Sequence, residues 1–536
     1  MDTLYSDLDR QEPGFIRNRQ QMWEALELVR SVEQKIVEVE AKSLAKFEKR
    51  GQIPPRDRIG LLLDPGSPFL ILSSLAGYQM HDDRDGSTAG GGILCGIGHV
   101  SGVRCIVMVS NSAVKGGTIS PAGLKKSLRA QEIALENKLP VIFLVESGGA
   151  NLLYQSEIFI EGGRGFANQA RLSAAGIPQI TVVHGSSTAG GAYFPGMSDY
   201  VVMVKDKAKV FLAGPPLLKA ATGEIATDEE LGGAAMHAGV AGTAEYLAED
   251  DREAISIARD LVRCLDWSKA SDLSVDFEEP LYPAEDLLGL VPLDFKLSHD
   301  VRAVFARVLD GSAFLEFKAS YDEFTVCGHG QVGGQVVGVI GNNGPLTAKG
   351  STKAAQFIQL CCQSKVPLVF FQNTTGFMVG KEAEQSGMVK HGSKLLQAVA
   401  CAQVAKITFV IGASFGAGNY GMCGRGMGPR FIFSWPNARI GVMGGQQAAK
   451  VMSMVTAEKY RRAGQAPDKT KLAAMEKEIE ERMALESHVL FGTARLWDDG
   501  IIDPRDTRQV LMMALQISAA AEGCKTTISP FGVPRF

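Results

Sequence analysis

The chain has 536 residues, 45% of them apolar and 21% charged. That composition suits a globular protein with two large, well-filled domains. The net charge of −4 argues against a nucleic-acid or anionic-membrane binder, and no apolar stretch reaches the ~18 residues a transmembrane helix needs.

The first ten residues, MDTLYSDLDR, carry three Asp and no apolar core. They read as neither a secretory signal nor a transit peptide. Met22, Leu26, Val29, Val32, Ile36 and Val39 then step by three and four. This spacing predicts an amphipathic helix over about 12–49. The turn cluster DPGSPF, Asp64 to Phe69, ends a short helix. From Gly77 to about Leu265, short β-rich runs (RCIVMVSN, LPVIFLVES, PQITVVHG, AKVFLAG) alternate with helical patterns. Such alternation predicts an α/β fold. LSVDFEEPLYPAEDLLGLVP, residues 273–292, holds three prolines and several acids. A domain boundary is expected there, with a first domain over 1–272, a linker over 273–292 and a second domain over 293–536. The α/β pattern resumes with GQVVGVIGNN, VPLVFFQN, ITFVIGA and RIGVMGG. The run from Leu395 to Phe415, interrupted by Lys406, reads as a helix followed by a buried strand.

The second domain repeats the first. LPVIFLVESGGA aligns with VPLVFFQNTTGF, pairing Pro140 with Pro367 and Gly149 with Gly376. Gly185 pairs with Gly412, Gly191 with Gly418 and Tyr193 with Tyr420, each offset by 227. Further on, AKVFLAGPP meets ARIGVMGGQ, with Ala208 against Ala438 at an offset of 230. A constant offset over such a span, glycines included, marks a duplication.

Glycine is the compositional outlier: 60 residues, about 11% against a typical ~7%. In each half one glycine element ends a strand (ESGGA, NTTGF), and a second ends the next strand (TAGGAY, GAGNY). Strand ends are where α/β folds place ligands. A strand that enters a helix through such a turn exposes backbone N–H groups at the helix start, where dipole and donors favour an anion or a developing oxyanion. Two facing turns make an oxyanion hole, in which one donor is worth roughly 3–4 kcal/mol in acyl chemistry.

Side-chain machinery is sparse. There is no H-E-x-x-H or Walker A motif. The nine cysteines include no C-x-x-C pair, so no zinc ribbon, metal site or disulfide framework is expected, and a reducing compartment is. GASFG, Gly412 to Gly416, matches a nucleophile elbow, but its counterpart from Gly185, GSSTA, lacks the closing glycine. The duplication accounts for the match without a nucleophile. His81, His99, His184, His237, His329 and His391 sit beside no evident nucleophile and acid, and structural roles are expected for them. Oxyanion donors without a base imply that the base arrives from elsewhere.

RIGLLLDPGSPF, GGGILCGIGHVSG, VKGGTISPAGLKKSLRAQEIA, STAGGAYFPGMSD, VFLAGPPLLKAATGE, NTTGFMVGKEAE, GASFGAGNYGMCGR and ARLWDDGIIDPRDTR together resemble the carboxyltransferase (β) subunits of biotin-dependent acyl-CoA carboxylases. The resemblance covers nearly the whole chain and is nearest to the geranyl-CoA and methylcrotonyl-CoA branch. It implies two duplicated crotonase-like domains with an N-terminal helical extension. It implies an acyl-CoA site in the first domain and a carboxybiotin site in the second. By motif, Gly190 and Gly191 would hold the thioester enolate oxygen. Gly376 and Phe377, beside Thr375, would hold the biotin ureido oxygen together with Ala417 and Gly418. The ureido nitrogen, freed of CO2, would be the missing base. Gly149 and Ala150 fall on the CoA side. Ser120-Pro121 reads as the cap and first residue of a helix, with Lys115, Lys125, Lys126 and Arg129 around it as candidates for the CoA phosphates.

The chain shows no biotin-bearing A-M-K-M segment and no ATP-binding half, so only the carboxyl-transfer step is expected of it. The resemblance implies a separate biotin-carrying α subunit, a β6 core within an α6β6 assembly whose sites are shared between neighbouring chains, and a bacterial cytoplasmic location. Methylcrotonyl-type subunits usually read H-F-G-R-x-F-Y-N-Q-A where this chain reads EGGRGFANQA, Glu161 to Ala170. Gly162, Gly165 and Ala167 are small where relatives are larger. The space fits a tail one isoprene unit longer, which points to geranyl-CoA, with 3-methylcrotonyl-CoA as the alternative and a non-catalytic crotonase-like scaffold as a third reading.

Overall fold

The apolar runs become two mixed sheets. The computed structural model describes residues 1–267, 276–297 and 299–534. The strands in chain order are β1 (Asp2–Thr3), β2 (Leu70–Ile71), β3 (Ile93–Val100), β4 (Val103–Ser110), β5 (Val141–Ser147), β6 (Gln179–Thr188), β7 (Tyr200–Val204), β8 (Lys209–Phe211), β9 (Tyr246–Ala248), β10 (Ala313–Glu316), β11 (Thr325–Val332), β12 (Gln335–Asn342), β13 (Leu368–Thr374), β14 (Lys406–Phe415), β15 (Phe431–Ser434) and β16 (Arg439–Gly441).

One sheet runs β2-β3-β4-β5-β6-β7-β9, with β8 beside the end of β6. The other runs β1-β10-β11-β12-β13-β14-β15, with β16 beside the end of β14. In each, an antiparallel start gives way to parallel strands joined through helices. Parallel strands covered on both faces read as continuous apolar runs, and all ten residues of β14 are buried. Lys406 opens that strand by donating its Nζ to the carbonyls of Val399 and Met427. A charge at the end of an apolar run is thereby satisfied.

The duplication extends to an irregularity. The β5–β6 register shifts between Val145 and Ser147, and the β13–β14 register between Gln372 and Thr374. The residues stepped over are Glu146 and Asn373, which are 227 apart. Each side chain folds beneath a glycine of the neighbouring strand. A Cβ on Gly185 would lie 2.7 Å from Glu146 Cγ, and one on Gly412 would lie 2.5 Å from Asn373 Oδ1. Any larger residue would clash, so both positions demand glycine.

By contacts the chain divides into two units, and the ends do not follow the simple cut. One unit holds Ser31–Leu273, Ala494–Leu496 and Gln516–Phe536; the other holds Met1–Arg30, Ser274–Thr493 and Trp497–Leu515. They are called the first and second units below. The expected boundary at 272/273 lies outside the described residues. The first thirty residues join the second unit because β1 pairs with β10 and Arg10 meets the buried Asp286 at 2.7 Å. From Asp286 onward the expected linker is packed, while most of 276–285 is exposed: Leu287, Leu288 and Val291 are buried, and Phe15 lies against Gly289. The last residues join the first unit, where Ser529 N–H donates to the Ala174 carbonyl at 2.8 Å. The helix expected over 12–49 is two helices, Pro13–Ala41 and Leu44–Lys49. Ser43 sits between them and donates its hydroxyl to the Ala113 carbonyl.

Candidate active site

In the first unit, the stretch after β5 turns at Gly149, whose φ is 89°. A Cβ there would lie 3.4 Å from the Thr188 carbonyl oxygen, at the end of β6. The two glycine elements are therefore neighbours. Gly149 and Ala150 are fixed by Ile119, which donates to the Gly149 carbonyl and accepts from Asn151 N–H. The second element, Ala189–Ala192, is a short 3-10 turn that no side chain caps. Its first N–H groups, those of Ala189 and Gly190, have no partner within the turn, whereas 3-10 bonding takes Gly191 N–H back to the Thr188 carbonyl.

The second unit repeats this geometry. A Cβ on Gly376 would lie 3.3 Å from the Phe415 carbonyl oxygen. Leu346 donates to the Gly376 carbonyl and accepts from Met378 N–H, as Ile119 does 227 residues earlier. Ala417 and Gly418 begin the helix Ala417–Gly421, again without a side-chain cap, so their N–H groups are left over. This pair of elements is tighter: a Cβ on Gly418 would lie 2.8 Å from Gly376 Cα and 3.0 Å from Thr374 Cγ2. Phe377 packs its ring toward Gly421 and Gly392. Each unit thus leaves uncapped backbone amides beside its other glycine element, and amides so placed are able to steady negative charge on a carbonyl-type oxygen.

Among the described residues, most of the serine and histidine candidates are held by other groups. Ser414 of GASFG is fully buried, donating to Gln372 Oε1 at 2.6 Å and accepting from Asn419 Nδ2 at 2.8 Å. His184 is buried against Asp251 at 2.8 Å. Burial, with the Arg58 charge, pushes its pKa down to about 4. His81 meets Glu157 at 3.1 Å, His237 meets the Val210 carbonyl at 2.7 Å, and His391 meets Thr352 at 2.8 Å. His329 packs edge-on against Phe357, and His99 lies on β3.

The proposed CoA cations separate. Ser120 caps the helix Pro121–Asn137, accepting from Gly123 N–H at 3.0 Å. Lys125 is exposed there. Lys115, at φ 48°, lies 3.7 Å from Asp82, and Arg129 lies 3.6 Å from Glu132. Lys126 corrects the sequence reading. It is buried, and its Nζ donates to the carbonyls of Ile93 at 2.6 Å and Gly90 at 3.4 Å. Burial lowers its pKa to about 8. Its ammonium holds the loop before β3 and is not presented to a phosphate.

The small residues sit on the helix Gln155–Ala174. Gly165 faces Phe194, 4.0 Å from a Cβ at that position, and Gln169 one turn on donates to the Phe194 carbonyl. Phe194 follows Gly191 by three residues, so this helix face packs on the segment that follows the glycine turn. Gly162 is one turn earlier on the same face, and a Cβ there would meet nothing within 4 Å. Ala167 is about 140° round the helix from Gly162.

Known proteins agree with this picture. A family model described as carboxyl transferase domain matches residues 46–529. The chain belongs to the carboxyl transferase family. The crystal structure of the P. aeruginosa geranyl-CoA carboxylase β subunit superposes with a TM-score of 0.94 at 58% identity, covering 100% of both chains. A probable biotin-dependent acyl-coenzyme A carboxylase β2 subunit of Mycobacterium tuberculosis is 50% identical over 92% of each chain. A probable mitochondrial methylcrotonoyl-CoA carboxylase β chain of Drosophila melanogaster is 46% identical over 99% of this chain and 95% of that one. The protein is therefore the carboxyltransferase component of a biotin-dependent acyl-CoA carboxylase, built of two crotonase-like domains. Among the described residues no helix is long and apolar enough to cross a membrane, and no cluster of three or more His, Cys, Asp or Glu could hold a metal.

Proposed function

We propose that this chain is the carboxyltransferase subunit of a geranyl-CoA carboxylase, moving a carboxyl group from carboxybiotin to the γ-methyl carbon of geranyl-CoA in acyclic terpene breakdown. The open space at Gly162, where an added Cβ would meet nothing within 4 Å, carries this reading. Burial of each CH2 is worth about 0.8 kcal/mol, so a pocket shaped for an extra isoprene unit discriminates strongly. The similarity to the geranyl-CoA carboxylase β subunit supports it.

Loss of the γ proton places charge that the conjugated double bond delocalises onto the thioester oxygen. Gly190 and Gly191 hold that oxygen. Lys115, Lys125 and Arg129 meet the CoA phosphates, with Gly149 and Ala150 lining the same side. In the second unit Gly376, Phe377, Ala417 and Gly418, beside Thr375, hold the ureido oxygen of biotin. The residues fit such a ring: Gly376 and Gly418 meet backbone to backbone with only the Thr374 methyl beside them, and the amides of Ala417 and Gly418 carry no side-chain cap. Biotin, borne by a partner, supplies the carboxyl group and then the base. A biotin-carrying α subunit, a β6 core in an α6β6 assembly and a bacterial cytoplasmic location complete the proposal.

The test is steady-state carboxylation of geranyl-CoA and 3-methylcrotonyl-CoA by this chain co-expressed with its α subunit, beside Gly162→Phe. Turnover of geranyl-CoA is expected to collapse in Gly162→Phe while 3-methylcrotonyl-CoA turnover survives. Turnover of 3-methylcrotonyl-CoA alone by the parent would overturn the substrate assignment. No turnover of either would favour the scaffold reading.

A further inference from the structure

In the second unit Arg439 lines a cavity and has no counter-ion among the described residues. The cavity, about 500 Å3, opens beside Thr375 and Phe415, the residues just before Gly376 and Gly416. Arg439, Lys296, Gln446 and Gln447 bring polar side chains to it. Lys296 already donates to Gln446 at 2.8 Å. Arg439 makes no ion pair with any described residue, Asp294 and Glu480 of the same cavity included. Burial acts on it without an acid to offset the cost, lowering its pKa.

The duplication makes that missing acid informative. Ser186 pairs with Lys209 across β6 and β8, and Ala413 pairs with Arg439 across β14 and β16. Lys209 and Arg439 therefore hold the same place in the two units. Lys209 Nζ lies 3.4 Å from Asp228 and 3.5 Å from Glu229. Lys209 also bridges to Gly233, as Arg439 bridges to His488. Counting back four residues from each bridge gives Glu229 in the first unit and Ala484 in the second. Five residues back gives Asp228 and Met483. Both acids have gone from the second unit, and Ala484 lines the cavity instead. The cation stays and its internal partners do not, so the second unit leaves room for an external anion. The helix Gly445–Arg462 also starts at this cavity, with no side-chain cap and no acid in its first turn.

We propose that the Arg439 cavity is a carboxylate subsite that receives the carboxyl group carried on the biotin ureido ring while the adjacent glycine turn holds that ring's carbonyl oxygen. This rests on the reading of the second turn as the biotin side. A guanidinium presents a planar fork that matches a carboxylate. Uncarboxylated biotin offers it nothing. Arg439 therefore favours the loaded ring over the spent one, and the preference disappears once the carboxyl group has moved.

Binding of two small probes to the purified full-length chain, followed by ligand-observed NMR titration, tests this without turnover. The probes are (2-oxoimidazolidin-1-yl)acetate, which bears a carboxylate on the ring, and neutral 2-imidazolidinone. The parent is expected to bind the charged probe about tenfold or more tightly. Arg439→Gln should bring the two affinities together and leave that of the neutral probe unchanged, while Arg439→Lys keeps part of the preference. Ala484→Glu, which restores the lost counter-ion, should erase the preference with Arg439 intact and guards against a folding defect in Arg439→Gln. A preference unchanged in both Arg439→Gln and Ala484→Glu would overturn the subsite and leave the biotin-side reading standing. Binding of neither probe by the parent would overturn both.

Discussion

Beneath the first glycine turn lies a buried charge network, and beneath the second lies a set of amides. In the first unit Glu146 accepts from Arg58 at 2.9 Å and from Ser112 at 2.9 Å. Arg58, fully buried, also lies 3.7 Å from Asp251, which holds His184. In the second unit Asn373 stands where Glu146 does. It accepts from Ala413 N–H at 2.8 Å and meets His299 at 3.2 Å. The ladder Gln372–Ser414–Asn419 steadies the strand ends there. In the first unit Val145 and Ala192 replace its outer members, and Ser187 turns to the Gly191 carbonyl at 2.9 Å. The turns differ as well. Ala189 takes φ 53° where the second unit has Gly416 at 56°. An L-residue there carries roughly 1–2 kcal/mol of strain. One backbone device thus survives on two different interiors, because register and glycine spacing define the turn while the interior only has to satisfy its own polar atoms.

Removing the charge beneath the first turn is expected to have the largest effect. Glu146→Gln leaves Arg58 buried with only the more distant Asp251, at a cost of about 3–4 kcal/mol. Asn373→Ala strands one amide, at about 1–2 kcal/mol. Denaturant titration of both variants checks the order. Equal losses would mean that the two interiors do equivalent work.

Crowding comes next. Gly418→Ala drives a Cβ onto Gly376 and Thr374 and should cost about 2 kcal/mol. The matching Cβ on Gly191 meets only Ser187 Oγ, at 3.6 Å, so Gly191→Ala should cost under about 1 kcal/mol. Melting curves that show the two variants equally destabilised would refute the tighter second turn.

The smallest effect is a difference in pH response. His184, ordinarily near 6.5, is held at about 4 by burial and the Arg58 charge. The unfolded chain then binds the extra proton first, so this stabilisation is full above 6.5 and is lost as pH falls toward 4. His299 is lowered to about 4 by burial and acts with the same sign. Asp498 of the second unit behaves oppositely. Burial raises it from 3.8 to about 6, so the folded state takes the proton first and stability falls as pH rises from about 4 to 6. Asp498→Asn should therefore gain about 1–2 kcal/mol at pH 7 and nothing at pH 3.5, whereas His184→Asn should flatten the acid limb between 4 and 6.5. Stability measured across pH 3.5–8 decides it, and shifts of the same sign in both variants would contradict the assignment.

Much of this was legible in the sequence. The alternation of apolar runs, the 227 offset and the glycine elements identified the duplicated α/β fold and both turns, because strand period and turn chemistry are local properties of a few residues. The motif resemblance added the family. Ser120 as a helix cap needed only its own neighbours. Other features needed the folded chain. Lys126 reads as one more surface lysine until the loop before β3 is seen to wrap its ammonium. Ala167 lies about 140° round the helix from Gly162, a separation that becomes visible only once the segment is seen to be helical. Residues 1–30 and 516–536 join units remote in sequence because their partners, β10 and the end of the helix Gln155–Ala174, lie hundreds of residues off. Arg439 could be paired with Lys209 by alignment, but the lack of an ion-pair partner among the described residues appears only in the folded chain. The sequence by itself determined the repeat and its turns, since these follow from short-range spacing. Only the tertiary structure decided which charges are satisfied and which segments pack together, since both depend on contacts between residues far apart in the chain.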